Sequence, residues 1–335
     1  VTTMTPTLSV GALSAAPGTK ARGTVPVALG ALTVDIPLTL VHGARPGPRA
    51  VITAGVHGGE FTGVDAATRL AALLDPGEVR GQVIVCPVAN PPAVYRGRLG
   101  VSPVDGVNIN RVFPGDPGGG PTERLAAWLF THLVDGADAY VDLHSGGIDE
   151  VLTDFVGHRL TGDPELDTRS AALAHALGMR DIVLGLNADG GNSHAAAARR
   201  GVPAILVETG QCGDRDPETA RRLVRGLYGV LVRLGVLGTR PPDPAPAVRT
   251  WVWAAAVTAE TTGLWYPQFT AGDDVTEGQV IGHVIDPADG REHKVHTPAT
   301  GRILYGMRGL TVAPGTELAA VAAPAPPASA PDRPT

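Results

Sequence analysis

His57 and Glu60 stand three positions apart in Val56-His57-Gly58-Gly59-Glu60, and a second histidine, His144, follows in Asp142-Leu143-His144-Ser145-Gly146-Gly147. Two imidazoles and a carboxylate are a ligand set for a catalytic zinc, which keeps a further coordination position open for water. An H-x-x-E pair alone arises often by chance. Here its surroundings give it weight.

The run Ala50–Val56 is apolar and short, as in a strand buried on both faces. It leads through Gly58 and Gly59 into Thr62–Leu74, whose apolar spacing is helical. His57 and Glu60 therefore sit at the C-terminal end of a strand, on the turn into a helix, the edge where open α/β sheets bind ligands. Ala139–Leu143 reads as another strand with His144 at its end. Further strands are expected at Val25–Leu29, Leu32–Val41, Gln82–Val88, Asp181–Leu184 and Ala204–Glu208, and helices at Thr122–Val134, Thr168–Leu177, Ser193–Arg200 and Pro217–Leu234. Such alternation predicts an α/β fold, a mixed, mostly parallel sheet covered by helices.

Three other segments carry usable chemistry. Asn110 and Arg111, in Asp105-Gly106-Val107-Asn108-Ile109-Asn110-Arg111, place an amide beside a guanidinium whose planar fork suits a substrate carboxylate. Arg96 and Arg98 offer a cation that could stabilise an oxyanion. Glu208 ends the apolar run Ala204–Glu208 and is placed to take a proton from an attacking water and pass it to a leaving amine.

The chain has 335 residues, 43% hydrophobic and 18% charged, with a formal charge of −6. That length suggests one large domain plus a smaller one. The acidic balance and the lack of a basic run argue against a nucleic-acid partner. No apolar segment reaches the length of a membrane span, and the first residues show no signal pattern. Cys86 and Cys212 give no disulfide framework, so a cytoplasmic location is expected. Residues 1 to about 24 read as a loose lead-in. A zinc hydrolase domain is expected over 1–240, ending in the Pro-rich stretch Thr239–Pro246, with a small all-β domain over 247–322 and a disordered tail over 323–335. Lys294 lacks the hairpin-tip setting of a carrier lysine. His194 reads as a polar helix-start residue, and His283, His293 and His296 as surface or hairpin residues.

The ordered motifs H-G-G-E, N-P at 90–91, D-G-x-N-x-N-R-x-F-P-G, D-L-H-S-G-G and P-A-x-x-x-E-x-G resemble those of the succinylglutamate desuccinylase/aspartoacylase family, within the wider zinc carboxypeptidase-like group. The likeness runs from about residue 20 to 320 and looks strongest toward bacterial deacylases of N-acylated amino acids. It implies one zinc per chain on His57, Glu60 and His144, with Glu208 as general base and then acid. It also implies Asn110 and Arg111 on the carboxylate of a small-molecule substrate, and an upstream arginine on the scissile carbonyl. Arg98 is favoured for that role over Arg96 because it lies nearer to Pro103–Gly106. The chain departs from the pattern after the base, where Gln211 and Cys212 replace the glycines of many relatives. Removal of a small acyl group from an N-acyl amino acid is the first expectation, and a carboxypeptidase acting on a small peptide the second. A metal-free binding protein would leave the ligand set without a purpose. Oligomeric state stays open.

Overall fold

The computed structural model describes residues 6–186, 190–238, 247–309 and 311–326. Its frame is one broad mixed sheet. At the centre Arg45–Ala54 lies parallel between Arg80–Cys86 and Ala139–His144, and Ala139–His144 is parallel to Ala204–Glu208. All six residues of Ala139–His144 are buried, Asp142 and His144 among them, so the strand has no exposed face.

Side-chain alternation sends neighbours on one strand into two separate cores. Ile52, Val83, Val141 and Ile205 pack beneath the helices Phe61–Leu73, Pro164–Leu177 and Pro217–Leu234. Val51, Ile84 and Tyr140 face the opposite layer, which includes the helices Pro121–Leu129 and Ser193–Arg199. Helix limits follow local chemistry. Asp163 and Asp216 accept from the first free N–H groups of their helices, each with proline at the first position. Gly178 and Gly235 close the same two helices at φ 78° and 82°.

Parallel pairing is confined to the middle of the sheet. On one flank Thr33–His42 and Thr19–Ala28 continue it antiparallel, and Phe155–His158 inserts antiparallel to Ala204–Glu208. The sheet as a whole is mixed, not mostly parallel. Residues 8–24 are not a loose lead-in either: Leu8–Val10 and Leu13–Ala15 form a hairpin, and Thr19 begins a ten-residue strand. Outward-facing residues dilute the hydrophobic signal of that strand. The expected helix over Thr122–Val134 is α-helical from Pro121 to Leu129 and closes in a π turn over Phe130–Val134.

The C-terminal β region is joined to this frame through the sheet itself. Arg249–Thr258 pairs parallel with Asp181–Leu184, and Glu317–Pro324, Gly301–Met307 and Asp274–Val275 extend the sheet beyond it. A second sheet, Gly263–Pro267, Val280–Ile285, Glu292–His296 and Thr311–Val312, completes the region. Lys294 pairs with His283 in mid-strand, away from any hairpin tip. Strand Glu317–Pro324 passes the boundary expected at 322. The Pro-rich stretch 239–246 and residues 327–335 lie outside the described residues. No described helix is long and apolar enough to cross a membrane.

The seam has a polar lock. Buried Asp181 accepts from Arg249 Nε at 2.7 Å and Nη2 at 2.6 Å, and from Trp251 Nε1 at 2.7 Å. Asp181→Ala should lower the unfolding free energy by about 2–3 kcal/mol, since the two donor side chains lose a charged acceptor. Urea denaturation reads this as a lower midpoint. A loss below about 0.5 kcal/mol, the size of an ordinary surface change, would show that the seam is held elsewhere.

Candidate active site

The turn after Arg45–Ala54 needs residues without a Cβ. Gly59 has φ 85°, and a Cβ on Gly58 would lie 2.2 Å from the carbonyl oxygen of Ala93. This close approach lets Gly58 donate to the Leu99 carbonyl at 2.9 Å and leaves Glu60 as the residue preceding helix Phe61–Leu73.

Glu60 bridges the two histidines. Its Oε1 is 2.7 Å from His57 Nδ1, and its Oε2 is 2.9 Å from His144 Nδ1. The three residues present ligand atoms within 4.8 Å of one another, a group able to hold a metal ion. Each imidazole is anchored by its other nitrogen. His57 Nε2 lies 3.0 Å from Asn108 Oδ1, and His144 Nε2 lies 2.9 Å from Asp142 Oδ2. An acceptor at Nε2 holds the proton there and leaves Nδ1 free as a ligand atom. Asp142 is fully buried and also accepts from Thr53 Oγ1 at 2.7 Å and from the Ser193 hydroxyl. Tyr140 OH lies 2.7 Å from Thr53 Oγ1 and continues the chain of polar contacts.

Charge follows geometry. Burial would raise Glu60, but His57 and His144 outweigh it and bring the carboxyl down to about 2. Burial would lower His144, yet Asp142 and Glu60 hold it well above the ordinary histidine range. The two carboxylates thus favour positive charge at His144.

Glu208 faces His144 directly, since the parallel register pairs the two residues across adjacent strands. Its Oε2 is buried with no hydrogen-bond partner. Burial pushes its carboxyl well above the usual range, helped by Glu60, Glu150 and Asp142 against the opposing pull of His144. A carboxyl poised to take and give a proton needs a shift in this direction.

These groups line a cavity of about 730 Å³ together with Asn110 and Arg111. Asn110 is buried, and its Oδ1 accepts from the Ser193 N–H at 2.8 Å. The Arg111 Nη1 donates to the Asn110 carbonyl at 3.0 Å. Arg98 is not brought to the cavity: it is exposed in the left-handed region at φ 57°, after the π turn Pro92–Gly97. Arg96 lies with Tyr95 along a separate surface groove.

Several participants went unassigned in the sequence. Asn108 and Asp142, each close in sequence to a residue singled out for its chemistry, take up the second nitrogens of the two histidines. Glu150, Trp253, Tyr305, Met307 and Glu317 also line the cavity. The last four come from the C-terminal strands, which thus line the same cavity as the ligand set. Gln211 and Cys212 act on that wall: Gln211 Oε1 accepts from the Leu152 N–H at 3.2 Å, and the Cys212 N–H donates to the Glu150 carbonyl at 2.8 Å. His194 is buried, 3.3 Å from the Leu186 carbonyl oxygen, and burial lowers it to about 4.

Comparison with known proteins places this geometry. The family model of the succinylglutamate desuccinylase/aspartoacylase catalytic domain matches residues 46–234. The N-alpha-acetyl-L-2,4-diaminobutyric acid deacetylase of Halomonas elongata is 35% identical over 257 residues, 76% of this chain and 75% of that protein. Among solved structures, a succinylglutamate desuccinylase/aspartoacylase from Rhodobacter sphaeroides superposes with a TM-score of 0.82 at 31% identity, covering 92% of this chain and 96% of the other. The product-bound ectoine utilization protein EutE of Ruegeria pomeroyi gives 0.81 at 26% identity, covering 91% and 95%. The chain belongs to the succinylglutamate desuccinylase/aspartoacylase family.

Proposed function

We propose that the protein is a zinc-dependent amide hydrolase that removes a small acyl group from an N-acyl amino acid. The observation that carries this reading is Glu208, a buried carboxyl with an unpartnered oxygen, set in register with His144 of the His57–Glu60–His144 group. Two imidazole nitrogens and a carboxylate fit zinc, and the second nitrogens on Asn108 and Asp142 orient them as such sites require. Bound there, zinc supplies Lewis acidity toward a carbonyl and acidifies water.

The chain's own residues would do the rest. Glu208 takes the proton of the attacking water at its free Oε2 and returns it to the departing nitrogen. Arg111, on the cavity wall, pairs with the substrate carboxylate, and Asn110 fixes the loop that carries it through its bond to Ser193. For Arg98 to polarise the carbonyl, its exposed side chain has to fold inward over Gly59, beside which its own carbonyl oxygen already lies. The cavity, about 730 Å³ with Trp253, Tyr305 and Met307 in its lining, suits a small ligand. The deacetylase named for the Halomonas elongata relative is in keeping with acyl amino acids over longer peptides.

Elemental analysis of the purified protein should find about one zinc per chain, the loading of a mononuclear three-ligand site. Absence of bound metal after growth in zinc would remove the mechanism. Glu208→Ala should keep that zinc and lose ~10²–10⁴-fold in kcat. Turnover near wild type would assign the proton to another group. A panel of N-acetyl amino acids against a panel of dipeptides separates deacylase from carboxypeptidase, and hydrolysis of the dipeptides alone would overturn the first reading.

A further inference from the structure

Glu208 does its proposed work with a carboxylate that no hydrogen bond holds. Its Oε2 is buried without a partner, and no ion pair anchors it among the described residues. A side chain without such an anchor takes its direction from the main chain that bears it. The ties on the backbone around Glu208 therefore set where a proton is taken and returned.

Those ties converge on the next two residues. Within the sheet Glu208 pairs with His144 on one side and with Phe155 on the other. Beyond the strand, the Thr209 N–H donates to the His144 carbonyl at 3.2 Å, and the Gly210 carbonyl accepts from the Gly146 N–H at 2.9 Å. Asp154, the residue before Phe155, closes the bend. Its Oδ1 accepts from the Thr209 hydroxyl at 2.8 Å and from the Gly210 N–H at 3.4 Å, and its Oδ2 accepts from Arg222 Nη2 at 3.1 Å. Thr209 is 2% exposed, so without Asp154 its hydroxyl would be left buried and unpaired. Gly210 sits at φ 87°, with Thr62 Oγ1 where a Cβ would go, which leaves the bend little room to relax. Neither Asp154 nor Thr209 lines the cavity of the His57–Glu60–His144 group; both line a separate groove of about 400 Å³ with Arg222. Asp154 thus reaches the base only through the backbone.

We infer that Asp154 is a positioning residue for the reaction, fixing the Glu208 carboxylate by holding Thr209 and Gly210. The inference rests on the assignment of Glu208 as base and deepens it. Arg222 stands outside this device: its pair with Asp154 is 50% exposed on one side and 40% on the other, where an ion pair contributes little. The working part of Asp154 is the acceptor Oδ1, not the charge.

The test uses zinc-loaded protein and the best substrate of the N-acetyl amino acid and dipeptide panels. Asp154→Ala should lower kcat by ~10- to 100-fold, as a displacement of about 1 Å does at a reacting group. KM should stay within about threefold, because substrate binding is untouched, and zinc should stay at about one per chain. Asp154→Asn, which keeps an oxygen for Thr209, should recover most of kcat. Arg222→Gln should leave kcat within about twofold, as for an exposed ion pair. Thr209→Val should lower kcat in the same direction and add less than its own effect in the Asp154→Ala background, since the two residues act as one unit. Crystal structures of the wild type and Asp154→Ala should show the Glu208 carboxylate displaced, with His57, Glu60 and His144 unmoved. Wild-type kcat in Asp154→Ala, a Glu208 carboxylate that has not moved, or an Asp154→Asn variant as impaired as Asp154→Ala would overturn the inference. Wild-type turnover by Glu208→Ala, beside a displaced carboxylate in Asp154→Ala, would instead sink the base assignment and leave the positioning standing.

Discussion

Asp142 is the constraint around which the rest is arranged. A carboxylate with no exposure is costly to bury unless its oxygens are fully engaged. Here Thr53 comes from the adjacent parallel strand in register with it, Ser193 from the start of a helix on the other core, and His144 from two residues along the same strand. Shifting any of these elements by one residue would leave a charge stranded in the interior. The carboxylate therefore couples strand register, helix placement and imidazole orientation in one local arrangement. Burial would raise its pKa, but His144 foremost among its partners keeps it below the ordinary value. Glu60 extends the same logic by joining the anchored His144 to His57.

The catalytic half was legible because parallel strands buried on both faces leave near-continuous apolar runs, and chemistry gathers at their C-terminal ends. Ala204–Glu208 and Pro217–Leu234 stand where the pattern put them, and so does the meeting of Glu60 with His144. What escaped has identifiable causes. Glu150–Leu152 is three residues long, too short for any period, and its partner strand lies in the C-terminal region. Phe155–His158 is similarly brief. Thr19–Ala28 lies at the sheet's edge with an outward row of polar and small side chains that mask its alternation. Arg98 was ranked by distance along the chain, which carries no information about the direction of a side chain on a left-handed residue. Asn108 orients His57 only once its loop folds back on the His57–Glu60 turn.

Gln211 and Cys212 show how a departure from a family pattern acquires meaning. As letters they signal only that glycines are missing. In the fold they clasp the strand that carries Glu150, through one side-chain acceptor and one backbone donor. Their reach into the cavity is indirect: they hold the main chain of a lining strand rather than contribute the carboxylate it carries.

The seam between Asp181–Leu184 and Arg249–Thr258 has a thermodynamic consequence. Because hydrogen-bonded strands carry the frame from the His57–Glu60–His144 group to the C-terminal strands that line the same cavity, a ligand that touches both binds best when those strands are docked. By linkage, its binding free energy is added to their docking free energy. Occupancy and local order are then two readings of one equilibrium, and hydrogen exchange in strands far along the chain from His57 would report on whether the cavity is filled.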